Sequence, residues 1–293
     1  MNVPKLLVVD KSVFHSLCSC EQKLCAFVKH YNVLLPHALA IECLISGSQS
    51  PDKDARELIS RFHAAIKAGA NMGYSLRSLF IMERKTLHSA LSVVDERATE
   101  QFRNGAPNTA PDFIKQEAQF ARKDFEQIVE SVLKVARALY DNLCKQEELS
   151  KDIRKEKHRI RRFEKWIQCA DKSMKDILNR LFSEEISSRA DPKWITWQRA
   201  RLYLTYSLDW VFIKNLPGSC EKEDISNNLY DIEYVTYLSR ADGLLTNDKK
   251  LQVPLAKAAF PKKDLFLVDT SKKEARHVFD NIIATMRPSY RIE

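Results

Sequence analysis

Glycine and proline are scarce in this chain, six and ten in 293 residues. That argues against a fold built on frequent tight turns and toward long helices. Long apolar runs are missing as well. The longest, such as Leu6 to Val9 and Leu265 to Val268, fall far short of the roughly 18 residues that a membrane span needs, so the chain is not expected to span a membrane. The first residues lead straight into a strand-like segment, without a basic region followed by an apolar stretch and a cleavage site, and the expected location is cytoplasmic. Seven cysteines, an odd number, in a reducing compartment argue against a disulfide framework and for free thiols. His15, Cys18, Cys20 and Cys25 raise the thought of zinc. On one shared helix, however, Cys20 would point away from Cys18 and Cys25, and no second Cys/His pair completes a tetrahedral set. Internal repeats and low-complexity segments are absent.

What the chain does have is enough apolar material for a core, 44% hydrophobic against 29% charged, and a formal charge of +8. A basic surface attracts polyanions, which makes nucleic acid or an anionic membrane surface a reasonable partner, although plain solubility accounts for the same charge.

The two ends share one grammar. Lys5 to Asp10 reads as a strand, Val13 to Lys29 as a helix, Asn32 to Leu35 as a strand closed by Pro36, and His37 to Ile45 as a helix. Near the C-terminus come a helix from Ile225 to Arg240, a strand from Gly243 to Thr246, a helix from Lys249, a strand from Leu265 to Val268 and a last helix from Ser271. Alternating strands and helices with short apolar strands predict an α/β fold, a parallel sheet of about four to five strands covered on both faces. The expectation is one discontinuous core, residues 1–48 with 218–293, and an all-helical insertion over 49–217. Trp194, Trp197, Tyr203, Tyr206 and Trp210 recur at near-helical spacing and are read as core. The run Lys151 to Lys165 holds eight Lys or Arg against three acids. It is either a solvated helix face or a rail for nucleic-acid phosphates, with Arg154, Lys155, Arg159, Arg161, Arg162 and Lys165 as the contacts.

Five acids stand out by position. Asp10 follows four apolar residues and so sits at a strand's C-terminal tip, where open α/β sheets bind ligands; Asp248 ends Leu244-Leu245-Thr246-Asn247 in the same way. Glu42 lies in an apolar helix, where an unpaired carboxylate is expensive. Asp231 opens a helical stretch and Asp242 precedes the strand that leads to Asp248; a helix N-terminus and a turn are their ordinary explanations. Together such acids would repel one another unless a divalent cation neutralised them, and Mg²⁺ or Mn²⁺ prefers oxygen ligands of this kind.

Leu6-Leu7-Val8-Val9-Asp10, Leu35-Pro36 through Glu42, then Asp231 and Ala241 through Asp248 with its Thr-x-Asp ending, resemble the acidic quartet of PIN-domain nucleases. The resemblance covers about the first fifty residues and seventy near the other end. It implies a PIN-like three-layer fold and a metal-dependent endonuclease, most often acting on RNA. Asp10, Glu42, Asp231 and Asp248 would then be the catalytic and metal-binding acids and Asp242 a fifth metal-binding group, holding Mg²⁺ or Mn²⁺, with Thr246 and Ser12 orienting ligands or water. Glu233, two residues from Asp231, faces elsewhere on a helix and is left out. The resemblance implies nucleic acid as partner, RNA first, and leaves a regulatory protein partner open. The competing readings are a DNA-directed nuclease, a catalytically silent RNA-binding or scaffolding protein, and a phosphatase-like metal hydrolase.

Overall fold

The computed structural model describes residues 5–18, 21–46, 53–106, 109–118, 158–181, 184–214 and 223–268, with scattered positions between 127 and 138. Five short strands, β1 (Leu6–Val9), β2 (Asn32–Leu35), β3 (Asn71–Met72), β4 (Gly243–Thr246) and β5 (Asp264–Leu267), form one parallel sheet in the order β3-β2-β1-β4-β5. Every connection carries helices, which is what parallel pairing demands of the chain. The helices among the described residues include α1 (Lys11–Cys18), α2 (Glu21–His30), α3 (His37–Ser46), α4 (Lys53–Lys67), α5 (Leu76–Thr86), α6 (Glu96–Asn104), α7 (Arg159–Leu181), α8 (Glu184–Arg189), α9 (Ile195–Lys214), α10 (Glu223–Tyr237) and α11 (Gln252–Ala259).

β1 is central and β4 lies beside it, so the two ends of the chain share one sheet and one core. Leu7, Val8, Val9, Leu244 and Leu245 are essentially without solvent contact, as a sheet covered on both faces requires. Gly243 opens β4 because a Cβ there would lie 3.0 Å from Leu7 Cδ2 and 3.1 Å from the Asp264 carbonyl oxygen. Strand order carries the functional consequence. From β1 the chain builds outward through β2 and β3, then returns to add β4 and β5 on the other side. The β1/β4 boundary is therefore the topological switch point, where the loops leaving neighbouring strands diverge and open a crevice at their C-terminal ends.

Three expectations change. The helix read over Val13 to Lys29 is two helices, α1 and α2, so Cys18 and Cys25 belong to different elements. The expected boundary of the helical insertion at residue 49 cuts through the sheet, because α4 leads into β3, which pairs with β2 through Leu34↔Asn71 and Leu35↔Met72. A two-residue strand is too short for any alternation to register in sequence. The third is the start of the helix read from Lys249: Lys249 and Lys250 form a turn, and α11 begins at Gln252. The last helix, read from Ser271, lies outside the described residues.

A buried carboxylate ties the start of α9 to α5. Glu83 of α5 has no solvent exposure and accepts Ile195 N at 2.7 Å, Thr196 N at 3.0 Å and Thr196 Oγ1 at 2.6 Å. A carboxylate thus satisfies the free N–H groups that begin α9. Trp194, Trp197, Tyr203, Tyr206 and Trp210 are all buried, in agreement with their reading as core.

Candidate functional site

The register of β1 and β4 sets the site. Val9 stands opposite Leu245, which leaves Asp10 and Thr246 side by side at the strand tips. Asp10 is 2% exposed, and its carboxylate accepts Thr246 Oγ1 at 2.6 Å, Val13 N at 2.7 Å and Ser12 Oγ at 2.9 Å. Burial raises its pKa, and those three donors pull the other way. Ser12 Oγ also lies 2.6 Å from Asn247 Oδ1, so both strand tips are tied through side chains that the sequence places next to the acids.

Asp10, Glu42, Asp231 and Asp248 line one open cleft of about 1010 Å³ together with Lys11, Ser12, His15, Asn247, Lys249, Lys250 and Gln252. Each acid arrives on a different element. Glu42 comes from α3, whose Ala38, Leu39, Ala40, Ile41 and Cys43 are buried around it. Its carboxylate meets Lys11 Nζ at 3.5 Å and accepts the Tyr234 hydroxyl. Burial raises the Glu42 pKa, with Lys11 and Tyr234 opposing and Asp10 adding to the rise. Asp231 and Tyr234 are three residues apart on α10 and share a face, whereas Glu233 points the other way to Tyr203 at 2.9 Å and Arg199 at 2.5 Å. That outcome agrees with leaving Glu233 out of the site.

Asp231 is strongly perturbed. Burial, then the charges of Asp248, Glu42 and Asp10, push its pKa up to about 8, against a hydrogen bond from Gln252 Nε2 at 2.7 Å. Asp248 is held by backbone: Lys250 N at 2.7 Å and Leu251 N at 3.0 Å donate to one oxygen, and Gln252 N at 3.0 Å to the other. Helix α11 therefore opens on a carboxylate, which favours its N-terminal dipole. On the cleft wall, burial together with Lys11 and Arg61 lowers the pKa of His15.

No protein-family model, curated protein or solved structure matches this chain.

Asp242 does not join the cluster. It precedes β4, at the opposite, N-terminal edge of the sheet, where its carboxylate accepts Leu6 N at 2.8 Å and its backbone N donates to the Leu6 carbonyl at 2.8 Å. Asp242 and Asp248 flank a four-residue strand, and a strand rises about 3.3 Å per residue, so proximity in sequence sends them to opposite ends of the sheet.

The basic run divides in a way its composition did not reveal. Arg154 and Lys155 lie outside the described residues. Arg162 donates to Asp209 at 2.8 Å, and Arg159 approaches the same carboxylate at 3.4 Å; Asp209 has no exposure at all. Arg159 also donates to the Lys250 carbonyl. These two arginines fasten α7 to α9 and to the cleft's edge, while Arg161 is exposed and Lys165 half-buried. Lys11, Tyr234 and Gln252 are the site residues that sequence reasoning missed. The signals were adjacency to Asp10 for Lys11 and the three-residue offset from Asp231 for Tyr234; nothing local marked Gln252.

The donor set is all oxygen and mostly anionic, the chemistry that hard divalent cations take. Among the described residues no three His, Cys, Asp or Glu side chains are grouped tightly enough to hold a metal ion. The hydrogen bonds explain the spread: Glu42 is drawn to Lys11 and Tyr234, Asp231 to Gln252, and Asp248 to the start of α11.

Proposed function

We propose that this protein is a metal-dependent nuclease of the PIN-like kind, cutting phosphodiester bonds, with RNA as the first substrate to try. The observation that carries the reading is the convergence of Asp10, Glu42, Asp231 and Asp248 from four separate elements on one cleft at the switch point of a parallel sheet. Four carboxylates in one crevice oppose each other's ionisation, and the charges of Asp248, Glu42 and Asp10 add to burial, the larger cause, in raising the pKa of Asp231. Mg²⁺ or Mn²⁺ held by these acids would supply charge neutralisation, a water acidified enough to attack and stabilisation of the departing oxygen. The chain's own contribution is orientation: Thr246 and Ser12 fix the Asp10 carboxylate, the start of α11 fixes Asp248, and Tyr234 fixes Glu42.

One observation favours a catalytically silent RNA-binding protein instead. Lys11 already gives Glu42 a protein counter-charge, so part of the repulsion has an answer without metal. Incubation of the purified chain with single-stranded RNA, structured RNA and DNA, in Mn²⁺, Mg²⁺ or chelator, separates the readings. Metal-dependent cleavage abolished by Asp10→Asn supports the nuclease. RNA binding without cleavage in any metal supports the silent protein, and cleavage that Asp10→Asn leaves intact removes the cluster from the chemistry.

A further inference from the structure

Helix α10 lacks the feature that ordinarily fixes how a helix is turned about its axis. From Leu229 to Tyr237 every residue but Asp231 is buried, so no apolar stripe sets one face apart from the others. Apolar contacts are non-directional, whereas hydrogen bonds demand an angle. The turn of α10 matters to the cleft, because Asp231 and Tyr234 must reach it together and each residue turns the helix by about 100°. On the cleft side the charges of Asp248, Glu42 and Asp10 oppose that of Asp231, and Gln252 is the partner that draws it in.

The opposite side of α10 carries a directional hold. Glu233 lies about 200° round the helix from Asp231 and is 7% exposed. Its Oε1 accepts Arg199 Nη2 at 2.5 Å and the Tyr203 hydroxyl at 2.9 Å. Arg199 and Tyr203 are four residues apart on α9, with the guanidinium 5.2 Å from the centre of the Tyr203 ring, so two stacked side chains of α9 grip a single oxygen of α10. A sheltered ion pair of this kind adds little net stability, because desolvation offsets the attraction, and apolar side chains of similar volume fill a core as well or better. What it supplies and they do not is a direction. We infer that Arg199, Tyr203 and Glu233 are positioning residues for the cleft: by fixing the angle of α10 from behind, they bring Tyr234 to Glu42 and turn Asp231 toward the other acids. The effect on cleavage rests on the nuclease reading proposed above, while the angle of α10 is a property of the chain without metal or substrate.

The test replaces the cluster by apolar side chains, Arg199→Met, Tyr203→Phe and Glu233→Leu together, so that no member is left without its partner. Urea unfolding should stay cooperative, with a midpoint no lower than that of the unmodified chain. Two measurements then report on the cleft. In chelator and without substrate, the proton resonance of the Tyr234 hydroxyl, assigned by its loss in Tyr234→Phe, should shift or disappear in the triple variant, because its bond to Glu42 depends on the angle of α10. In Mn²⁺, kcat for cleavage of single-stranded RNA should fall about 100-fold, the scale of a small misplacement of reacting groups, with KM nearly unchanged. Arg199→Lys keeps a cation within reach of Glu233 and should lie closer to the unmodified chain in both measurements. An unmoved Tyr234 resonance in a folded triple variant overturns the inference, as does cleavage at the unmodified rate. So does a triple variant that no longer unfolds cooperatively, since the cluster would then hold up the fold rather than the angle of one helix. If the unmodified chain cleaves nothing in any metal, the nuclease reading falls, and the Tyr234 resonance by itself decides whether the cluster sets the angle of α10.

Discussion

Thr246 Oγ1 donates to Asp10 Oδ2 at 2.6 Å and accepts Asp248 N at 2.9 Å, so one buried hydroxyl couples the two acids that follow the neighbouring strands β1 and β4. Thr246 has no solvent exposure. Thr246→Val keeps the shape and removes both bonds, leaving the Asp248 N–H without that acceptor. Unmet buried polar groups cost about 1–3 kcal/mol, and a loss of that size is expected in urea unfolding. Cleavage should fall further than stability accounts for, since Asp10 loses the hydroxyl that orients its Oδ2. Unfolding and cleavage both matching the unmodified chain would mean that the hydroxyl does not couple the acids.

The metal-free protein should lose stability as pH rises. Asp231 has a folded pKa of about 8, against about 3.9 for an unperturbed aspartate, so across that interval the folded state holds a proton that the unfolded state has released. The contribution is complete below about pH 4 and is lost as pH climbs through 8. Asp10 and Glu42 are raised in the same direction. In chelator, the urea midpoint should therefore fall between pH 5 and pH 9, and Asp231→Asn should flatten the portion nearest 8. Identical pH profiles for the two proteins would show that this carboxyl is not the one titrating.

The basic residues should separate into two groups. Arg162→Gln deprives the wholly buried Asp209 of its closest partner, and breaking a buried pair from one side costs about 3–5 kcal/mol; the loss should appear in urea unfolding, and the salt dependence of RNA binding should stay as it was. Lys249 and Lys250 are exposed on the cleft's rim. Replacing both with Gln in an Asp10→Asn background, with labelled single-stranded RNA as probe, should reduce the slope of log affinity against log salt by roughly 0.7 for each phosphate no longer neutralised. A slope changed by Arg162→Gln and untouched at Lys249 and Lys250 would return the RNA-binding surface to α7.

Local sequence was enough for the α/β class and for Asp10 and Asp248 at strand tips, because strand length and the turn to polar residues after it are written in consecutive positions. Burial of Trp194 through Trp210 and the exclusion of Glu233 were legible for the same reason, as consequences of helical period. Only the tertiary structure decided where Asp242 goes, since six residues of separation say nothing about which edge of a sheet each acid occupies until strand direction is set. It alone recruited β3 from the supposed insertion, because a two-residue strand is stabilised by its neighbour β2 rather than by its own pattern. It also turned Arg159 and Arg162 inward. Their charge was visible in the sequence, but Asp209 lies 47 positions beyond Arg162, and a pairing across that distance is settled by how α7 packs on α9.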